Sequence, residues 1–456
     1  MNMNTTKAIG QGVAWNTVST VIGKTVVFAN VFLILRYLSV YEYGLSELIF
    51  SVIGTMGIVL LPGLSSAITA DLAVERARGE FGRMKTIFAQ YLSLNVVLSV
   101  IAWSILFFGS SFAAHLASND SIEYFLKIVS FSFLLSPWRG AIGMLSIVEA
   151  RFFDQSFYSV FEEIVKGLAL LFFFFILHQS IAGLLFATVI SQLVVIILFI
   201  PRFLSAYRVF SHAKAVDTQV FWQIVNHHRK WSIAVNYIGT LSKTIQLWII
   251  RLLIGTEAVG LYAFATGIIG HITSFLPFST VLTSLLPRFV DRRDEFVRMF
   301  KSSIKAQFLI TVVLVVGAAT VAPVLFWIFP KYNPAFLLMY ITLLSTFPAA
   351  IATMYTPVFN TLKEQFSFLF SMVWKIFFSA VFLWLGIIFF GVPGMGIAVT
   401  LGLVASTIER TIRLRRLVPG FSLSLADLFI LDPIELSLLK NFFNEIRTKG
   451  LFAILR

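Results

Sequence analysis

The sequence predicts an all-α membrane protein with twelve spanning helices, and two observations carry that prediction. Hydrophobic residues make up 58% of the 456 positions and charged residues only 12%, with a mean hydropathy of +0.89. Soluble proteins carry roughly 25% charged residues, so this chain has too little polar surface to cover a water-exposed fold. Apolar runs of about 20 residues, which is the length that crosses a bilayer, also recur along the chain.

Twelve apolar segments are long enough to span. They are 13–35, 43–70, 86–108, 122–148, 158–178, 181–200, 231–253, 259–286, 306–329, 334–361, 367–390 and 394–412. Prolines lie within the second, eighth and tenth segments, at Pro62, Pro277 and Pro348. A proline inside a span frees a carbonyl that a neighbouring helix or a hydrated cavity must satisfy. These prolines are compatible with packing kinks and with hinges for a rocking motion.

The basic residues predict the orientation. With the N-terminus in the cytoplasm, most of the 35 lysines and arginines, Arg410 among them, fall in inner loops and tails, as the positive-inside rule requires. The outer helix ends hold Arg36, Lys127, Arg251 and Lys331. We therefore predict a multi-pass inner-membrane protein with both termini in the cytoplasm. Because the loops account for the net charge of +13, no nucleic-acid partner is expected.

The two halves of the chain resemble each other at a shift of about 215 residues. Parallel repeats of this kind place a transported substrate between the halves. We therefore predict two pseudo-symmetric six-helix lobes, 1–205 and 231–418, around a central cavity, with a cytoplasmic linker at 206–230. Residues 419–456 are predicted to be a cytoplasmic amphipathic tail. The matched pairs are Trp15 and Trp231, Gly23 and Gly239, Arg36 and Arg251, Pro62 and Pro277, and Lys166 and Lys375.

Basic residues inside the predicted spans are the candidate substrate ligands. A charge at bilayer depth costs at least about 2.5 kcal/mol, so these side chains should face a hydrated cavity. Lysine and arginine in such a cavity suit an anionic cargo, for instance a pyrophosphate. The candidates are Lys24, Arg139, Lys166, Lys243 and Lys375.

Some candidates also have structural interpretations. Lys166 is able to pair with Glu162 or Glu163 one turn earlier, and Arg139 is able to bind carbonyls freed by Pro137. The other three candidates have no acidic residue within one helical turn, which favours a cavity role.

Further positions are candidates for gating and for energy coupling. Arg36 and Arg251 are candidates for an outer gate, although snorkelling to the interface is an ordinary role there. Glu162 and Glu163 are candidates for a coupling ion. With no cysteine in the chain, we expect neither a metal site nor a cofactor.

The opening segment carries a family resemblance. It contains G-x-x-W at Gly12–Trp15, R-x-L at Arg36–Leu38, and Tyr43 followed by Gly44. With the twelve spans and the cationic interior, this pattern resembles the polysaccharide-precursor flippases, such as the O-antigen flippases, of the multidrug/oligosaccharidyl-lipid/polysaccharide exporter superfamily. The resemblance covers about residues 8–418.

This resemblance implies alternating access between two lobes, with spans 1, 2, 7 and 8 lining the cavity. The implied cargo is an oligosaccharide linked to undecaprenyl pyrophosphate, and the implied cavity cations are Lys24 and Lys243. A polysaccharide polymerase is a candidate partner, besides membrane lipids.

Two other functions are alternatives to this one. A multidrug exporter of cations needs acidic groups in its cavity, and a membrane polysaccharide polymerase needs a large catalytic loop, whereas the longest outer loop here is 109–121. No enzymatic activity is expected.

Overall fold

The computed structural model describes residues 22–60, 62–116, 119–149, 151–216, 219–273, 282, 286–289, 292–362, 364–424 and 427–428. These residues form an all-helical fold. They divide into two compact units between Tyr237 and Ile238. Gly12, Trp15, Pro277 and most of the predicted tail lie outside the described residues.

Among the residues described, the first unit contains seven helices and the beginning of an eighth. The seven are α1 (residues 22–37), α2 (Val40–Met56), α3 (Pro62–Arg78), α4 (Phe81–Leu116), α5 (Ser121–Val148), α6 (Phe152–Leu171) and α7 (Ile181–Ser211). A 3-10 turn, Gly57–Leu60, separates α2 from α3, so the second predicted span is two helices rather than one. A π-helical segment, Phe172–Ile176, follows α6.

A capping box fixes the start of α2. The backbone N–H of Glu42 donates to Ser39 Oγ at 3.2 Å, and the backbone N–H of Ser39 donates to Glu42 Oε2 at 2.8 Å. Each bond satisfies an N–H group that the helix itself leaves without a partner. The short Ser39 link therefore ends α1 and starts α2 as separate helices.

The second unit begins within α8 (Gln219–Leu253) and continues through α9 (Thr256–Thr273). Its later helices within the described ranges include α10 (Arg293–Ile328), α11 (Phe336–Leu344), α12 (Thr346–Thr361) and α13 (Gln365–Leu417). Short 3-10 turns at Leu286–Phe289 and Pro330–Ala335 precede α10 and α11.

The longest described helix, α13, consists of two antiparallel helices joined at Gly391. Its 53 residues would extend about 80 Å as one straight helix, at about 1.5 Å per residue. Gly391 has φ 61° and ψ −134°, a conformation that essentially only glycine adopts. A Cβ on Gly394 would overlap the carbonyl of Gly386, and one on Gly402 would lie 2.9 Å from Ser379 Oγ. The halves correspond to the predicted spans 367–390 and 394–412.

The segment from Pro330 to Thr361 is bent by 43° where α11 meets α12. The bend comes just before Pro348, which lies in the first turn of α12. A proline ring inside a helix clashes with the carbonyl four residues earlier, here that of Leu344. The sequence placed a proline in this span, and the break falls on its N-terminal side.

Within the described ranges, five helices have the length and hydropathy to cross a membrane: α4, α5, α7, α10 and α13. The bent segment Pro330–Thr361 is a sixth if it is counted as one span. The chain is therefore a multi-pass membrane protein. Twelve spans in two six-helix lobes around a cavity stay a prediction.

Candidate functional site

Arg139 and Glu162 form an ion pair between α5 and α6. Arg139 Nη2 lies 3.1 Å from Glu162 Oε2, and the two side chains are 47% and 10% exposed. Lys166, which is partly buried on the same helix as Glu162, forms no ion pair with either Glu162 or Glu163 in the described structure. Neither structural interpretation from the sequence is therefore observed: Lys166 is not paired within α6, and Arg139 is bound to a carboxylate rather than to carbonyls freed by Pro137.

Asn30 is a polar residue of the site that sequence analysis missed. It is buried on α1, and its Nδ2 donates to Glu163 Oε2 at 3.0 Å and to the Glu163 carbonyl at 2.9 Å. Gly167 permits this approach, because a Cβ there would lie 2.5 Å from Asn30 Oδ1. The sequence feature that could have identified this residue is a single amide side chain within an otherwise apolar stretch of α1. Both candidate coupling carboxylates, Glu162 and Glu163, thus have partners.

Lys24 and Lys243, which the sequence places at comparable depths of the two repeats, lie in different units, and so do the repeat mates Arg36 and Arg251. Lys24 is partly buried on α1 in the first unit, and Lys243 is exposed on α8 in the second. Arg36 is exposed near the end of α1. Arg251 lies near the end of α8, with its guanidinium carbon 5.0 Å from the centre of the Trp248 ring. The substrate and gating roles of these four residues stay predictions.

Arg410 is buried in the second unit. It is only 5% exposed, and its Nη1 donates to the carbonyl of Ala352 on α12 at 3.1 Å. Its guanidinium carbon lies 5.3 Å from the centre of the Phe368 ring, and its Nε has no hydrogen-bond partner in the described structure. The assignment of Arg410 to the inner loops and tails is therefore wrong, because it is buried within α13. The missed signal was the polar stripe of Ser406, Arg410 and Thr411 along an apolar helix.

Glu409, the acidic neighbour of Arg410 in sequence, is bound by Arg413 instead. Arg413 Nε and Nη2 lie 2.8 Å and 2.7 Å from Glu409 Oε1, and Ser371 Oγ donates to Glu409 Oε2. Lys375 is partly buried on the first half of α13, feels the positive charge of Arg410, and forms no ion pair with a described residue. The second unit therefore holds two neighbouring cations, Lys375 and Arg410, that no described carboxylate neutralises directly.

The first unit also contains a cavity of about 360 Å³. Residues of α2, α3, α4, α5 and α7 line it, and no carboxylate is present among the described lining residues. Sequence analysis did not find this cavity, because its walls come from segments far apart in the chain. Its polar lining includes Tyr91, Asn95, Ser132, Ser136, Arg139 and Gln192.

Solved structures share the fold of this chain. A multidrug resistance MATE family transporter of the MOP superfamily, in an inward-facing conformation, matches with a TM-score of 0.74 and 13% identity, covering 89% of this chain and 98% of that one. A MOP superfamily transporter from Pyrococcus furiosus matches with a TM-score of 0.66 and 14% identity, covering 91% and 97%. A mutant of the VcmN MATE transporter of Vibrio cholerae matches with a TM-score of 0.61 and 16% identity, covering 91% and 100%.

Sequence comparison gives the family. No functionally curated protein matches this sequence. Residues 9–292 match the family described as polysaccharide biosynthesis protein, which is more than half of the chain. The chain therefore belongs to the polysaccharide biosynthesis protein family and has the fold of MOP superfamily transporters.

Proposed function

We propose that this protein flips an oligosaccharide linked to undecaprenyl pyrophosphate from the inner to the outer leaflet of a bacterial inner membrane. The observation that carries the proposal is the pair Lys375 and Arg410, two cations on the two halves of α13, neither of which forms an ion pair with a described carboxylate. Family membership supports a role in polysaccharide synthesis. The fold similarity supports transport rather than catalysis.

The cations suit the proposed cargo on electrostatic grounds. A buried charge is tolerated when it is paired or hydrated, and guanidinium and ammonium groups bind phosphate strongly. A pyrophosphate passing Lys375 and Arg410 would supply a direct anionic partner, which neither cation has among the described residues. The membrane potential adds about 2.3 kcal/mol per elementary charge per 100 mV, in the direction that drives an anion outward.

Transport would proceed by alternating access between the two repeats. In this proposal Lys24, Lys243, Lys166 and Arg139 provide further contacts along the path. Arg36 and Arg251 form the outer gate. Glu162 and Glu163 are candidates to bind a coupling ion. A polysaccharide polymerase is the candidate partner that receives the cargo on the outer side.

The second candidate is a cation-exporting multidrug transporter, which the fold of the MATE structures favours. A drug cation needs a carboxylate to bind, and here Glu162, Glu163 and Glu409 are held by Arg139, Asn30 and Arg413 respectively. The binding pocket of the Pyrococcus furiosus transporter is described as having reversed polarity, which suggests a different function for that protein. The same fold is therefore compatible with more than one kind of pocket.

Flipping by the purified protein tests the proposal. The protein is reconstituted in liposomes with a fluorescent undecaprenyl-pyrophosphate saccharide, and membrane-impermeant quenching reports the outer fraction. We expect flipping by the wild type and its loss in the variant Lys24→Gln, Lys243→Gln, Lys375→Gln. The matched control is Arg78→Gln, which removes a charge from an arginine that is 64% exposed.

Two outcomes would contradict the flippase assignment. One is wild-type flipping by the triple variant. The other is proton-driven export of a cationic dye by the wild type without flipping of the lipid, which would support the multidrug alternative.

A further inference from the structure

We propose that the cavity of the first unit is a binding site for one neutral pyranose ring of the cargo. The inference rests on the proposed function only for the statement that the sugar belongs to a transported lipid. The binding site itself is argued from the lining residues of the cavity, and free sugars test it.

The cavity wall contains hydrogen-bonding groups without protein partners. Gln192 on α7 is only 9% exposed and makes no hydrogen bond to a described residue. Ser132 Oγ on α5 is buried and also lacks a partner in the described structure. Buried polar groups are almost always hydrogen-bonded, because leaving them unpaired costs free energy. An amide and a hydroxyl both donate and accept, which matches the hydroxyl groups of a sugar.

The charge of the cavity favours a neutral ligand. The only charged residue in the described lining is Arg139, and Glu162 pairs with it at 3.1 Å. No carboxylate among the described lining residues faces the cavity to attract a cation, and the arginine charge is already compensated. The remaining N–H groups of the guanidinium are directional donors that sugar hydroxyls satisfy.

The size and the walls of the cavity agree with a single ring. Its volume of about 360 Å³ lies at the lower end of the range of about 300–1,000 Å³ for small-molecule sites. Tyr91 and Phe133 contribute aromatic rings to the wall, and such rings can cover the apolar C–H face of a pyranose. Asn95, 7% exposed, adds a second amide, of which Nδ2 already donates to the carbonyl of Tyr91 at 3.0 Å.

Binding of methyl glycosides to the full chain in lipid nanodiscs tests this site. Maltoside detergents are avoided because their headgroups would compete. The probes are methyl glycosides of glucose, galactose, mannose and N-acetylglucosamine, followed by saturation-transfer NMR, with inorganic phosphate as the anionic competitor. We expect at least one glycoside to bind saturably, and phosphate not to displace it.

Two substitutions distinguish this site from non-specific binding. Gln192→Leu and Ser132→Ala should each weaken binding about tenfold, as expected for one lost hydrogen bond. Neither should lower the thermal midpoint of the empty protein, because each removes a polar group that has no hydrogen-bond partner among the described residues. The controls make the same changes outside the cavity: Gln179→Leu in an exposed loop and Ser130→Ala on α5.

Three results would overturn the inference. The first is that no glycoside binds, which would mean that the cavity holds only water. The others are that the double variant of Gln192 and Ser132 binds sugar as well as the wild type does, or that phosphate displaces the sugar. Failure of the proposed function is distinguishable. If the protein flips lipid but binds no glycoside, only the proposed sugar site is wrong. If it binds a glycoside but flips no lipid, the proposed transport function is wrong and the sugar site still stands.

Discussion

Arg139 on α5 binds Glu162 on α6 and lines the cavity of the first unit at the same time. Arg139 therefore contacts a candidate coupling carboxylate and also forms part of the wall of the proposed sugar site. The carboxylate is the buried partner, at 10% exposure against 47% for the arginine. This asymmetry determines which member of the pair matters more for stability.

Removal of Arg139 should destabilise the protein more than removal of Glu162. Arg139→Gln leaves a buried carboxylate without its cation and should cost about 2–3 kcal/mol, less than for a fully buried pair. Glu162→Gln leaves an arginine that reaches solvent and should cost about 1 kcal/mol. Thermal unfolding of the single and double variants measures both effects and their coupling.

A second pair provides the control for this comparison. Lys127 and Glu123, at 2.6 Å on α5, are 38% and 35% exposed, and breaking such a pair should cost under about 1 kcal/mol. Equal losses of unfolding free energy from Arg139→Gln and Lys127→Gln would contradict the prediction that burial of the carboxylate makes the Arg139–Glu162 pair more important for stability.

Lys375→Met should stabilise the protein while it reduces flipping. The lysine lies near Arg410 and has no ion pair with a described residue, so an apolar side chain of similar length removes repulsion and desolvation cost. Arg413→Met should act in the opposite direction on stability, because Glu409 would lose its cation and keep only the hydrogen bond from Ser371. The thermal midpoint and the flipping rate are measured together. A lower midpoint for Lys375→Met would show that the lysine has a structural partner.

The segment after α7 is held against the start of α4. Lys85 Nζ donates to the carbonyls of Ser211 at 2.6 Å and Ala213 at 3.0 Å. Thr86 Oγ1 accepts the backbone N–H of Val216 at 2.9 Å and donates to its carbonyl at 3.1 Å. These bonds fix the chain just before it enters α8.

Gly82→Ala should release this segment. A Cβ at Gly82 would lie 2.5 Å from the carbonyl oxygen of Lys214, too close for the contact to persist. We expect faster hydrogen exchange at residues 211–216, with the rest of the first unit unchanged. The control is Gly109→Ala on the same helix, where the added methyl meets nothing within 4 Å and should stabilise by about 0.5–1 kcal/mol. Unchanged exchange in Gly82→Ala would show that the segment accommodates the methyl group.

Gly167→Ala should separate α1 from α6. The new Cβ would approach Asn30 Oδ1 to 2.5 Å and displace the amide from Glu163. The expected result is a loss of about 1–3 kcal/mol, because the buried amide loses its partners. Gly143→Ala, which meets no atom within 4 Å, provides the matched control by thermal unfolding. If both variants unfold at the same temperature, the Asn30 contact does not depend on the glycine.

The sequence by itself determined that the chain crosses a membrane many times, because span length and low charge are local properties of each segment. It also located the helical hairpin of α13, because the predicted spans 367–390 and 394–412 correspond to its two halves. The family resemblance, found on the opening motifs, was confirmed by the match over residues 9–292.

Only the tertiary structure decided which polar groups meet. In the structure, Glu162 pairs with Arg139 rather than with Lys166, and Asn30 binds Glu163. Arg410 is buried, and residues between Ile53 and Gln192 together line a cavity. Lipid tails are as apolar as a protein core, so nearly every face of a spanning helix is apolar. The pattern that identifies a span therefore does not reveal which face packs on which neighbour, and the pairing of rare polar side chains between helices follows from that packing.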